Sequence, residues 1–113
     1  GGHGNKPDFS AGGVLMTDFL VRQALDFAMK HKDTLVVVTA DHETGGISVS
    51  PNRNDAKNPH IYYNGTGHSG APVAVFAFGP GSAFFNGVIN NIDIPRHFSK
   101  LWNLKTGLDS EIK

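Results

Sequence analysis

At 113 residues, 39% of them apolar, the chain is sized for one domain with a modest core. Its ten basic and ten acidic residues cancel and form no basic run, which argues against nucleic acid or an anionic membrane surface as partner. The absence of cysteine excludes disulfides and thiolate ligands, and no stretch reaches the ~20 apolar residues of a membrane-spanning helix.

The chain opens on Gly1-Gly2-His3-Gly4, which reads as the interior of a loop, so the gene product is expected to be longer than these residues. Glycines at 1, 2, 4, 12 and 13 and a Pro7-Asp8 turn signal predict a loop over 1–16. A helix is predicted from about Asp18 to His31, with Thr17 as N-cap. Leu20, Val21, Ala24, Leu25 and Ala28 form its apolar stripe, and Asp18, Arg22, Asp26 and Lys30 alternate in sign along the solvated face. Lys32-Asp33 then leads into Leu35 to Val38, an unbroken apolar run that reads as a strand buried on both faces, as in a parallel sheet.

Asp41 and His42 follow directly, and Gly45-Gly46 breaks the chain. Within a strand, adjacent side chains point to opposite faces; just past its end they can converge, and ligands of open α/β sheets bind there. The plainer alternative is an acidic turn with a surface histidine. Ile47 to Val49 alternates like a short edge strand. Residues 51–70 read as a long loop rich in Asn, Pro, Gly and Asp, of a length that is usually functional or disordered. A second strand with no polar face, Pro72 to Phe78, ends at Gly79-Pro80-Gly81. Phe84 and Phe85 lead to an Asn86-Gly87 turn. Asp93 is expected to cap a last helix whose stripe is Ile94, Phe98, Leu101 and Trp102, with Gly107 as its stop and a frayed tail to Lys113.

Of the six histidines, His31 suits the end of a helix, His97 lies off the apolar stripe, and His60 beside Pro59 leans structural. His3, His42 and His68 are each hemmed by glycines, which let several loops approach one ligand closely. A mixed Asp/His set without sulfur suits zinc, and also manganese or cobalt. The Gly65-Thr66-Gly67-His68-Ser69-Gly70 loop also admits a phosphate cradle, but lacks the lysine and following helix of a P-loop. Ser69 is rejected as a nucleophile, because no strand–turn–helix elbow surrounds it.

Taken together, Leu35 to Gly46, the Gly67-His68-Ser69-Gly70-Ala71-Pro72-Val73 segment and Phe78-Gly79-Pro80-Gly81 resemble the C-terminal part of the alkaline phosphatase family. The resemblance implies an α/β fold, helices packed on a mainly parallel sheet, of which this chain is the C-terminal part of a larger sandwich and of a single catalytic domain. By the same resemblance Asp41 and His42 hold one zinc of a close pair. His68 holds the other, joined by His3, which matches the histidine of an Asp-x-x-x-His motif. Two metals about 4 Å apart hold the attacking and leaving oxygens of an in-line phosphoryl displacement. The serine nucleophile, the phosphate-clamping arginine and the magnesium ligands of the family match nothing here, and Thr39 and Glu43 are expected to support the site. The implied substrate is a small phosphate monoester, cleaved through a phosphoserine. The implied parent is a homodimer located in the periplasm or secreted. Two alternatives stand beside this reading: a related metal-dependent phosphodiesterase or sulfatase, and a non-catalytic α/β fragment with at most a partial metal site.

Overall fold

The computed structural model describes residues 2–104; Gly107 and the tail expected to fray lie outside them. The chain divides into two compact units, the first comprising Gly1–Ala24 with Thr39–Ala74, the second Leu25–Val38 with Val75–Lys113.

A 3-10 turn over Gly2–Gly4 precedes α1, Pro7–Lys30. The loop expected over 1–16 therefore ends at Lys6, and the helix begins eleven residues before Asp18. Proline at the first helical position donates no N–H and none is needed there, while Asp8 complements the positive end of the helix dipole. Thr17 is no N-cap. It lies inside α1, and its hydroxyl donates to the Gly13 carbonyl one turn back, at 2.9 Å.

In the first unit, β2 (Glu43–Thr44) pairs antiparallel with β5 (His68–Ser69), and β3 (Ser48–Ser50) pairs antiparallel with β4 (His60–Tyr62). The stretch 51–70, expected as one loop, thus supplies two strands. The Ile47 to Val49 strand forms one residue later than expected. His60 sits on β4, exposed, with its ring 6.2 Å from that of Tyr62.

In the second unit, β1 (Val36–Thr39) pairs with β6 (Val75–Phe78). Both apolar runs are strands, as their composition predicts, but neither is buried on both faces. Val36 to Val38 are half-buried, while Phe76 and Phe78 are 67% and 44% exposed. On β6 burial alternates, with Val75 and Ala77 half-buried and Phe76 and Phe78 exposed, so one face of the strand is the more open. Gly79 ends β6 with a φ of 106°, against the Thr34 carbonyl, where a side chain has no room.

A 3-10 turn over Ser82–Phe85 and α2, Asp93–Leu101, complete the unit. Ile92 occupies the N-cap, and Asp93, expected there, is the first helical residue. Its carboxylate accepts from the Asn90 N–H at 3.0 Å and from the Arg96 guanidinium at 3.2 Å. These bonds, the Asn90 one foremost, hold it below the usual carboxylate range. Trp102, placed on the buried stripe by sequence, is 65% exposed and stacks on Phe98. His97 is not a free surface residue: it is half-buried, with its ring centroid 5.4 Å from those of both Phe84 and Phe85. His31 closes α1 stacked on Phe27. Among the described residues the buried hydrophobics are Ala28 and Phe85, both in the second unit. No described helix is long and apolar enough to cross a membrane.

Candidate metal centre

The first unit brings His3, Asp41, His42 and His68 together without a buried apolar core, so backbone geometry and polar bonds must place them. Gly45 and Gly46 are the pivot. Both adopt positive φ, 87° and 58°, which turns the chain from β2 back toward β3. The Gly45 N–H donates to the Gly67 carbonyl at 2.9 Å, and the Gly45 carbonyl accepts from Asn64 at 2.8 Å and Gly65 at 3.2 Å. The 64–68 segment is thereby drawn alongside β2. Of the phosphate cradle considered from sequence, the Gly65 N–H is engaged in this contact.

On β2–β5 the register sets Thr44 opposite His68 and Glu43 opposite Ser69. His42 stacks on His68 with ring centroids 3.4 Å apart. Its Nδ1 lies 3.2 Å from the Glu43 carbonyl and 3.2 Å from the Thr44 hydroxyl. A carbonyl cannot donate, so Nδ1 is the donor in that contact, which turns Nε2 toward Asp41. That Nε2 lies 3.3 Å from Asp41 Oδ2, while Asp41 Oδ1 accepts from the His42 N–H.

His3 repeats the arrangement. Its Nδ1 donates to the Thr66 carbonyl at 2.8 Å, and its Nε2 lies 3.2 Å from Nε2 of His68. The four sequence-predicted ligands therefore fall into two facing pairs, Asp41 with His42 and His3 with His68. In the first pair a ring nitrogen faces a carboxylate oxygen, and in the second two ring nitrogens face each other, atoms of the kinds that ligate a cation. Zinc–ligand bonds near 2.05 Å in a tetrahedron separate neighbouring ligand atoms by about 3.3 Å, and both observed gaps match that edge. A carbonyl holding the far nitrogen of a histidine is the usual support of a metal-ligating imidazole. The residues present fit metal binding. Among the described residues, no three or more His, Asp or Glu side chains group into a fuller coordination set, so each pair offers two ligands.

Two supporting contacts were not legible in the sequence. The Ser69 hydroxyl donates to Glu43 Oε2, and Glu43 Oε1 accepts from the N–H groups of Gly46 at 2.8 Å and Ile47 at 3.3 Å. These bonds, that of Ser69 first, hold the Glu43 carboxyl below its ordinary range against the opposing effect of burial. A carboxylate three residues before a Gly N–H is a recognisable turn-closing spacing; its partnership with Ser69 has no local signal. The second contact is the Thr66 carbonyl behind His3. The Thr39 hydroxyl donates to the Ala74 carbonyl at 3.0 Å and so ties the end of β1 to the segment that leads into β6.

The alkaline phosphatase family model matches residues 1–62. The alkaline phosphatase of Escherichia fergusonii is 30% identical over 108 residues, a match covering 81% of this chain and 23% of that protein. Alkaline phosphatase 3 of Bacillus subtilis is 58% identical over a 36-residue stretch, 30% of this chain. Among solved structures, the alkaline phosphatase from the Antarctic bacterium TAB5 superposes with a TM-score of 0.81 at 35% identity, covering 94% of this chain and 33% of that one. A variant of the TAB5 enzyme with magnesium bound in its M3 site superposes with a TM-score of 0.85 at 33% identity over the same shares. The chain thus spans 23% of the Escherichia relative and a third of the structural ones. A helix-and-strand architecture that superposes on these structures, with a family match over more than half its length, establishes that the chain belongs to the alkaline phosphatase family.

Proposed function

We propose that these residues form part of a zinc-dependent alkaline phosphatase that hydrolyses phosphate monoesters. Asp41 and His42 hold one zinc; His3 and His68 hold the other. The observation that carries this reading is the pair of facing donor sets, separated by 3.3 and 3.2 Å, with the Nδ1 positions of His42 and His3 occupied by carbonyls. Zinc bound at such a pair supplies positive charge that stabilises an in-line phosphoryl transfer.

The contributions of this chain are orientation and exposure. The Glu43 and Thr66 carbonyls orient the His42 and His3 rings, and the Gly45-Gly46 turn keeps the His42 and His68 rings stacked. Asp41, with a side chain 86% exposed, presents its carboxylate outward. Nothing in the donor set is a nucleophile. In this reading the serine that carries the phosphoryl group, the remaining zinc ligands and the magnesium site belong to other parts of the enzyme. The β1–β6 ribbon then joins a larger, mainly parallel sheet within the parent sandwich.

The test is His68→Ala and Asp41→Ala in the full-length enzyme. Each is expected to lower zinc content and to reduce kcat on a monoester by more than about 100-fold, above what losing a merely supporting group costs. Diester and sulfate ester substrates, assayed in parallel, are expected to turn over far more slowly. Full activity in His68→Ala would overturn the assignment.

A further inference from the structure

The two proposed metal pairs meet on a strand pair too short to define itself. β2 and β5 contain two residues each, and even complete two-stranded hairpins are marginal in water. Yet their register decides the site. With Thr44 opposite His68, the imidazole of His68 lies on the same side as Thr44 and against His42. A slip of one residue would carry His68 to the opposite face and separate the two pairs.

The opposite face carries the only side-chain bridge between these strands among the described residues. Glu43 stands across from Ser69, takes the Ser69 hydroxyl on Oε2, and takes the Gly46 and Ile47 N–H groups on Oε1. Ser69 Oγ in turn accepts from the Ala71 N–H at 3.3 Å. One carboxylate therefore fastens the turn after β2 to the strand that bears His68.

We propose that Glu43, through Ser69, is a positioning residue that locks the β2–β5 register and so fixes the spacing of His42 and His68, the two imidazoles assigned to different zincs. This inference rests on the metal reading above. Glu43 touches neither ligand ring with its side chain; it acts from the far face of the strand pair.

The experiment strips the full-length enzyme of metal and titrates it with zinc against a chelating dye, with kcat and KM measured alongside. It compares wild type with Ser69→Ala, Glu43→Ala, Glu43→Gln, the double variant and His42→Ala. Ser69→Ala and Glu43→Ala are expected to weaken zinc binding about 10- to 100-fold, the range for lost supporting partners. The double variant is expected to be no weaker than Glu43→Ala, since both changes remove one bridge. Glu43→Gln keeps an oxygen for the two N–H groups and an amide for Ser69, and is expected to recover most of the affinity. Where Glu43→Ala fails to fold, Ser69→Ala alone decides, because it leaves the Gly46 and Ile47 bonds in place. Unchanged zinc affinity in Ser69→Ala, with affinity lost in His42→Ala, overturns the positioning role alone. Unchanged affinity in His42→Ala overturns the metal reading, and this inference with it.

Discussion

At Gly45 the reason for a glycine is steric as well as conformational. Its φ of 87° is strained for any residue with a Cβ, and a methyl there would lie 2.9 Å from Cδ1 of Tyr63. Gly45→Ala is expected to cost about 2–3 kcal/mol, combining left-handed strain with that clash. The measurement is the urea midpoint of the full-length enzyme; a loss below about 0.5 kcal/mol, the range of neutral surface changes, would show that the turn is not fixed in this conformation. That His3, His42 and His68 lie near one another was suggested by the glycines that hem them, since glycine lets loops crowd together. Their sorting into two facing pairs was not legible from the residues themselves. It depends on which nitrogen each carbonyl engages, and the Glu43–Ser69 bridge depends on a register joining residues 26 positions apart. Neither leaves a mark in local sequence.

Among the elements, α1 shows how the same residues carry opposite signals. Gly12-Gly13 and Pro7-Asp8 suggest a loop, because glycine weakens helices and proline marks turns. Both have helical explanations: Pro7 starts the helix, and the two glycines sit in its first half with no heavy atom within 4 Å of where a Cβ would project. The expected loop failed because a local propensity deficit of about 1 kcal/mol per glycine is small beside the cooperativity of a 24-residue helix. Gly12→Ala and Gly13→Ala are therefore each expected to raise stability by about 1 kcal/mol, chiefly by restricting the unfolded chain. Thermal unfolding of the single and double variants checks this. A destabilising effect at either position would mean that a neighbour in the assembled enzyme approaches the helix closely there. The strands were read more faithfully, since β-branched runs such as Val36 to Val38 favour the extended chain; what covers them is tertiary and leaves no local mark.

Among the described residues many large apolar side chains are exposed. Along α1, Phe9, Val14, Leu15, Met16, Phe19 and Leu20 are all exposed, and on β6 so are Phe76 and Phe78, against two buried hydrophobics among the described residues. Apolar burial contributes roughly 25 cal/mol per Å², and ordering each residue costs on the order of 1–2 kcal/mol. A molecule with so small a core has little to offset that entropy. Exposed patches of this kind, beside the open edges of β1 and β6, are also templates for association. The chain spans 23% to 33% of the relatives it matches, and in the proposed reading the rest of the enzyme covers these faces. Expressed by itself, the 113-residue chain is therefore expected to self-associate in sedimentation velocity as its concentration rises and to unfold over a broad urea range. Zinc is expected to sharpen that transition only weakly, because each pair supplies two ligands where a structural zinc site uses four. A monomer with a steep, zinc-independent transition would show instead that polar bonds such as those around Gly45 and Glu43 suffice to hold the fold, and that the exposed α1 face requires no cover.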